Sequence, residues 1–338
     1  MEKRAMKKID VHHHITPAEY VNKLASIGIT ESLGQPFPKW SPEKSLSFMK
    51  KIGIDIAMMS ISTPGVYFRD DNFSRDFARM CNEYMAVIKS KYPNNFGGFA
   101  SIPLPDVQGA INELKYCIDE LKLDGVCLFT HYKGKYLGDK YFEDFFKELN
   151  KKKAVVYIHP TDPTNQYDPK LKIRNSLIEA PFETTRAVAN LMFTGTLDRN
   201  PDIKYILSHG GGTIPYLAWR VALIEYLQED KKPPIFKSIY DFLIKGGPET
   251  GLRILKEMYY DTALTTSPSA LKALHEFVGA KGIVFGTDYP FGAKFAQKLA
   301  KDLRQYPGFS EEDFRSVDYN NCLEIFPFLK QNCKKYNK

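Results

Sequence analysis

The sequence has no Cys-x-x-Cys pair and no glycine-rich phosphate loop after its first apolar run. It also has no apolar stretch approaching the ~20 residues that span a bilayer. Each absence excludes a class. The five cysteines (Cys81, Cys117, Cys127, Cys322 and Cys333) are odd in number and scattered. They build neither a disulfide framework nor a structural zinc knuckle, and they fit a reducing cytoplasm. Without a phosphate loop, a nucleotide-binding doubly wound sheet loses its signature. Without a long apolar run no membrane span is expected, and the opening MEKRAMKKID does not read as a signal peptide. The net charge of +7 includes clusters such as Lys151-Lys152-Lys153 and Lys334-Lys335, but no stripe with interleaved aromatics. Nucleic acid is therefore not an expected partner. No composition break or internal repeat divides residues 1–338, so a single domain is expected.

What is present is a repeating alternation. The chain has 338 residues, 43% hydrophobic and 26% charged, enough for one large α/β domain with a sizeable core. Short β-branched or apolar runs fall at 7–13, 54–61, 96–102, 124–130, 154–159, 203–208, 258–263 and 282–287. Helical spacing of apolar residues marks 43–52, 72–91, 107–122, 139–152, 183–199 and 215–228 between them. Alternating strands and helices pair in parallel through right-handed crossovers. Eight such units predict a (β/α)₈ barrel, with a doubly wound open sheet as the alternative. The long connections 15–42 and 160–182 follow strand C-termini and would cover the barrel mouth. A partly helical tail, 311–338, is expected to pack outside the barrel.

Histidines cluster where that topology converges. Val11-His12-His13-His14 ends the first strand, His159 ends the fifth, His209 ends the sixth and Asp288 ends the eighth. Alternate strand residues share a face, so His12 and His14 project together and His13 projects the other way. Asp10 would lie on the His12 face, one step below, placed to orient a histidine. In a parallel barrel all strand C-termini open on one ring. His12, His14, His159 and Asp288 then supply three nitrogens and an oxygen for one divalent metal. That nitrogen-rich set suits zinc. His209 would stand beside the metal as a general acid or base. His131, after the fourth strand, reads as a loop residue within reach of substrate, and His275 as a helix-surface residue. Gly210-Gly211-Gly212 lets the chain turn behind His209 and start a helix near Pro215.

The motifs IDVHHH, YIHP, ILSHGGGTIPYLAWR and FGTDYPF resemble the metal-dependent amidohydrolase superfamily, in its branch of non-oxidative decarboxylases. WSPEKSLSFMKKIGID, DGVCLFTHY and PFETTRAVANLMFTGTL look most like members of the 6-methylsalicylate decarboxylase type. The resemblance implies that His12, His14, His159 and Asp288 bind the metal, and that His209 is a catalytic acid or base. It matches Arg220 to an arginine that, in the muconate-semialdehyde branch, reaches a neighbouring subunit's substrate, which implies a homodimer or higher homo-oligomer. Phe129 and Thr130 stand where binuclear members carry a lysine, so one metal is expected. Lys39 stands where an arginine precedes the tryptophan motif of the muconate-semialdehyde enzyme, which argues against a dicarboxylate. The implied reaction removes carbon dioxide from a small aromatic ortho-hydroxy carboxylate. Asp288 or His209 would bring the proton, and Trp40, Tyr67 and Phe182 would flank the ring. Hydrolysis of a lactone or amide is the alternative chemistry. The intact ligand set argues against a barrel kept only for binding.

Overall fold

A computed structural model describes residues 7–164, 171–223, 249–326 and 329. Eight parallel strands form one sheet in chain order: β1 (Ile9–Ile15), β2 (Ile56–Ile61), β3 (Phe96–Ser101), β4 (Gly125–Phe129), β5 (Val155–His159), β6 (Lys204–Leu207), β7 (Tyr259–Asp261) and β8 (Ile283–Val284). The sheet curls back on itself. Val11 N donates to Phe285 O at 3.0 Å and Asp288 N donates to His12 O at 2.9 Å, so the chain beyond β8 closes against β1. This is the expected barrel, and all eight sequence runs become strands.

The helices also fall where the periodicity places them, with local adjustments. Pro42–Ile52 starts at a Ser41 cap and stops at left-handed Gly53. Asp71–Lys91 is capped by Asp70. The expected helix 107–122 is α-helical over Val107–Lys115 and continues as a π-turn, Tyr116–Glu120. Helix Glu179–Phe193 begins a few residues before the expected end of the 160–182 loop. Helix Ile214–Leu223 carries the start of the 215–228 prediction, and residues 224–228 lie outside the described ones. The 15–42 connection holds a helix, Ala18–Ala25, and a small hairpin pairing Glu31–Ser32 with Gln35–Pro36.

Inside the barrel, side chains stack in layers. Ile9, Val11, Met58, Phe99, Cys127, Val155, Tyr157, Ile206 and Val284 form one apolar cluster. Cys322, Ile325, Phe326 and Leu329 belong to that same cluster. The tail divides: its start packs outside the barrel, as expected, with Arg304 of helix Ala296–Arg304 over the Phe314 ring at 4.6 Å, but its later part does not. That part packs beneath the barrel and completes its floor, with the Phe326 ring 5.9 Å from that of Phe99. The reason is the barrel's own interior: its lowest apolar layer is open to water until something apolar covers it.

β1 departs from simple alternation. Its register against β2 slips between Asp10 and His13, a bulge that adds a residue. Val11 joins the interior cluster, and the slip lets His12 and His14 also face inward. Asp10 then stands with His13, whose Nδ1 is 3.0 Å from Asp10 Oδ2, rather than with the His12 face.

Phe326 is 1% exposed and contributes to the floor from outside the sheet. Replacing Phe326→Ala should cost about 3–5 kcal/mol of stability, as for other buried aromatics. Urea unfolding followed by circular dichroism would measure it. A cost below about 1 kcal/mol would mean the floor does not depend on the tail.

Candidate metal centre

The end of β1 sets two imidazoles side by side. His12 Nε2 and His14 Nε2 are 3.0 Å apart, and His14 Nε2 is 3.1 Å from His159 Nε2, which comes from the end of β5. Asp288 Oδ1 lies 3.2 Å from His12 Nε2 and 3.5 Å from His14 Nε2. Ligand atoms of His12, His159, His209 and Asp288 all lie within 4.8 Å of one another. Three ligand strands and the turn beyond β8 thus bring His12, His14, His159, His209 and Asp288 to one ring at the barrel's C-terminal mouth. His12 and His14 are fully buried, and His159 nearly so.

The second ring nitrogen of each histidine is already engaged, which decides what the first can do. His12 Nδ1 donates to Asp261 Oδ2 at 2.8 Å, and His159 Nδ1 donates to Pro160 O at 2.8 Å. His14 Nδ1 pairs with Ser60 Oγ at 2.8 Å. A neutral imidazole with its proton on Nδ1 keeps a lone pair on Nε2. The lone pairs of neutral His14 and His159 face each other over 3.1 Å and repel unless a cation, or a proton on His12 Nε2 at 3.0 Å, stands among them. Tetrahedral zinc–nitrogen bonds of 2.0–2.1 Å would set such nitrogens about 3.3 Å apart, so the donor set fits a small divalent ion.

Electrostatics divides the group. Burial alone would push the His12 pKa down, but the Asp261 and Asp288 carboxylates outweigh it and raise it to about 10 in the metal-free protein. Burial pushes His14 and His159 well below their ordinary value, and the neighbouring imidazoles push in the same direction. His209 is lowered too, by burial and by His12. The metal-free site thus keeps a proton on His12, where a cation would otherwise stand.

His209 sits on a forced turn. Its φ is +52°, followed by three glycines with φ of +63°, +72° and +65°. A Cβ on Gly212 would run into the Pro181 carbonyl oxygen, so this close approach to helix Glu179–Phe193 needs glycine. The backbone N of His209 donates to Asp261 Oδ1 at 2.9 Å and its Nδ1 to Ala263 O at 3.2 Å. Its Nε2 is left as a proton acceptor.

Asp261 is the residue that strand-end histidine counting overlooks. It is fully buried and accepts from His12 Nδ1, from Tyr157 Oη at 3.2 Å, and from the backbone N of His209 and Ala263. Its place as the last residue of β7 was the signal available. Phe291, within the FGTDYPF motif, also reaches the site, its ring edge-on to His14 at 5.9 Å.

Other expected site residues stand elsewhere. Trp40 is nearly buried on the His13 side of β1, where its Nε1 donates to Ser45 Oγ at 2.7 Å. His131 lies in a hairpin after β4, its Nε2 2.8 Å from Asp162 O and 3.6 Å from the buried Glu183 carboxylate. Tyr67 bonds Asp71 and Lys133. Phe182 and Arg220 are exposed on helices Glu179–Phe193 and Ile214–Leu223. His275 packs edge-on against Phe309, remote from the ring of ligands. Phe129 closes the end of β4, 6.3 Å ring to ring from His159.

With His12 protonated and His14 and His159 neutral, binding one divalent ion should expel one proton at about pH 8. Affinity should climb about tenfold per pH unit and level off as pH approaches about 10. Asp261→Asn removes one of the two anions that hold that proton, so it should release less. Calorimetry in buffers of different ionisation heat counts the protons. A wild-type count near zero would contradict this charge state.

The model of the Amidohydrolase family matches residues 9–328. A decarboxylase of Penicillium terrestre, macB, is 36% identical over 346 residues, covering 95% of this chain and 95% of its own. The 6-methylsalicylic acid decarboxylase of Penicillium expansum is 34% identical over 329 residues, covering 96% of this chain and 98% of its own. Among solved structures, the 5-carboxyvanillate decarboxylase of Novosphingobium aromaticivorans, complexed with manganese and 4-hydroxy-3-methoxy-5-nitrobenzoic acid, superposes with a TM-score of 0.82. It is 19% identical and covers 96% of this chain and 97% of its own. By its barrel and by the family model that spans it from β1 into the tail, this chain belongs to the amidohydrolase family.

Proposed function

We propose that this chain is a metal-dependent decarboxylase of a small aromatic ortho-hydroxy acid of the 6-methylsalicylate type. The observation that carries the reading is the convergence of three Nε2 atoms and the Asp288 carboxylate beside a proton-accepting His209. Resemblance to decarboxylases over nearly the whole chain supports it. His12, His14, His159 and Asp288 would hold the ion. Zinc suits the three imidazoles. Manganese is the second candidate, from the N. aromaticivorans structure. When bound, the ion supplies Lewis acidity and a template for the carboxylate and hydroxyl oxygens.

The chain's own groups handle the proton. Neutral His209 accepts a hydrogen bond or proton from the substrate hydroxyl at Nε2. Asp288 is the most solvent-accessible of the four ligands, its side chain 12% exposed, so it can take a proton from water and pass it to the ring. The ring carbon gains that proton as its bond to the carboxylate breaks. The electron pair of that bond stays with the ring, and carbon dioxide leaves. Phe291 gives the aromatic substrate a flat neighbour over His14. We also place the protein in the cytoplasm, which its buried free cysteines support. Separately, no helix among the described residues is long and apolar enough to cross a membrane.

Incubation of metal-loaded protein with 6-methylsalicylate should release one carbon dioxide per substrate consumed. His209→Asn should lower kcat by about 10²–10⁴-fold with metal content intact. If no hydroxybenzoate yields carbon dioxide, the substrate class is wrong.

We assign a homo-oligomer through the face around Arg220. Tyr216 and Trp219 on the same helix are 84% and 57% exposed, an apolar surface suited to a second copy. Sedimentation should give at least a dimer, and Trp219→Glu should shift it toward monomer. A monomeric wild type at micromolar concentration would overturn this.

A further inference from the structure

A second buried hydrogen-bond chain runs behind β1, on the side away from the ligand ring. Trp40 Nε1 donates to Ser45 Oγ, and Ser45 Oγ lies 2.9 Å from His13 Nε2. His13 Nδ1 is 3.0 Å from Asp10 Oδ2. The same Asp10 oxygen accepts from Thr287 Oγ1 at 2.6 Å. Asp10 Oδ1 accepts the backbone N of Thr287 at 3.0 Å and of His12 at 3.1 Å. Asp10, His13 and Ser45 have no solvent exposure, and Thr287 has 2%.

The direction of this chain follows from what each group can do. A carboxylate only accepts, so His13 must carry its proton on Nδ1. The neutral ring then accepts at Nε2 from the Ser45 hydroxyl. Ser45 is free to donate there because an indole N–H, which can only donate, fills one of its lone pairs. Every polar group in the path is satisfied, as a buried network requires.

The far end of the path is what matters for the metal ring. Asp10 grips the backbone and side chain of Thr287, the residue before Asp288, and the backbone of His12. Asp288 has φ of +57°, a left-handed conformation that a non-glycine residue keeps only when its surroundings hold it there. One carboxylate therefore clamps a ligand from β1 to a ligand from the turn beyond β8.

We propose that His13 and Asp10 are positioning residues for the metal centre: the path from Trp40 through Ser45 and His13 fixes the Asp10 carboxylate, which holds His12 and Asp288 in register. This rests on the metal reading above and adds two residues that bind no metal themselves. It gives the middle histidine of the triplet a task. It also connects Trp40, in the long segment after β1, to Asp288.

Two substitutions separate positioning from packing. His13→Phe keeps a flat ring against Tyr289, whose ring lies 4.5 Å away, and loses both hydrogen bonds. His13→Asn puts an amide N–H near the Nδ1 position and restores the donor to Asp10. Zinc affinity by chelator competition and the d–d spectrum of the cobalt(II) form are the readouts, with the melting temperature of metal-free protein as the folding control. His13→Phe should weaken affinity by about 10–100-fold, the range for groups that orient metal ligands, and alter the cobalt spectrum. His13→Asn should recover most of both. Folded His13→Phe with wild-type affinity and spectrum would overturn the proposal, and so would a His13→Asn variant no better than His13→Phe. Should His13→Phe fail to fold, Thr287→Val decides: it removes the hydroxyl that Asp10 grips, which also accepts the Tyr289 backbone N at 3.2 Å. It should weaken affinity, and an unchanged value would count against the clamp. A wild type that binds no metal overturns the metal reading, and the clamp with it, whereas a metal-binding wild type with indifferent variants overturns the clamp alone.

Discussion

The site depends on one buried carboxylate, Asp261. It takes four donors: the His12 ring, the Tyr157 hydroxyl and the backbone N–H groups of His209 and Ala263. The first keeps a proton on His12 Nδ1, so that Nε2 offers a lone pair to the centre once its own proton leaves. The third holds the left-handed turn that aims His209. The second joins the polar ring to the apolar layer below, since Tyr157 stacks on Phe99 at 5.2 Å. A charge buried this deeply is tolerable only because all its acceptor positions are filled and a cationic partner stands beside it. The orientation of His12, the turn that carries His209 and the barrel core meet at a single side chain.

Much of this was legible in the sequence because a parallel barrel turns distant strand ends into neighbours. Once eight strands are read from alternating apolar runs, His12, His14, His159, His209 and Asp288 need no pairwise contact prediction, and the topology brings them to one ring. The helices followed from periodicity for the same reason. The substrate contacts were less legible. Trp40, Tyr67 and Phe182 are aromatics in the segments that would cover the mouth, and aromatic identity does not say which way such a side chain turns.

The remaining differences have definite physical sources. Asp10 was expected beside His12 because strict alternation has period two, and one inserted residue at a bulge reverses it. Nothing in IDVHHHI marks that bulge, because every position is buried and no polar face betrays the phase. Asp261 was overlooked because a carboxylate at a strand end carries no metal-ligand pattern of its own, and its role exists only in three dimensions. The later part of the tail differs because the period of its apolar residues says that it is helical but not which surface it covers.

The floor beneath the barrel bears on how the chain can assemble. Val11 and Phe326 share one cluster, and His12 shares its ring with Asp288. A nascent chain that stops short of Asp288 cannot complete the ligand ring, and one that stops short of Phe326 cannot complete the floor. β1 leaves the ribosome before those partners and must wait, with its apolar face uncovered, for residues almost three hundred positions further on. Such long-range closure is intrinsically slow, and the waiting strand is exposed to wrong partners throughout. Until the segment that carries Phe326 emerges, the lowest apolar layer of the barrel stays open to water.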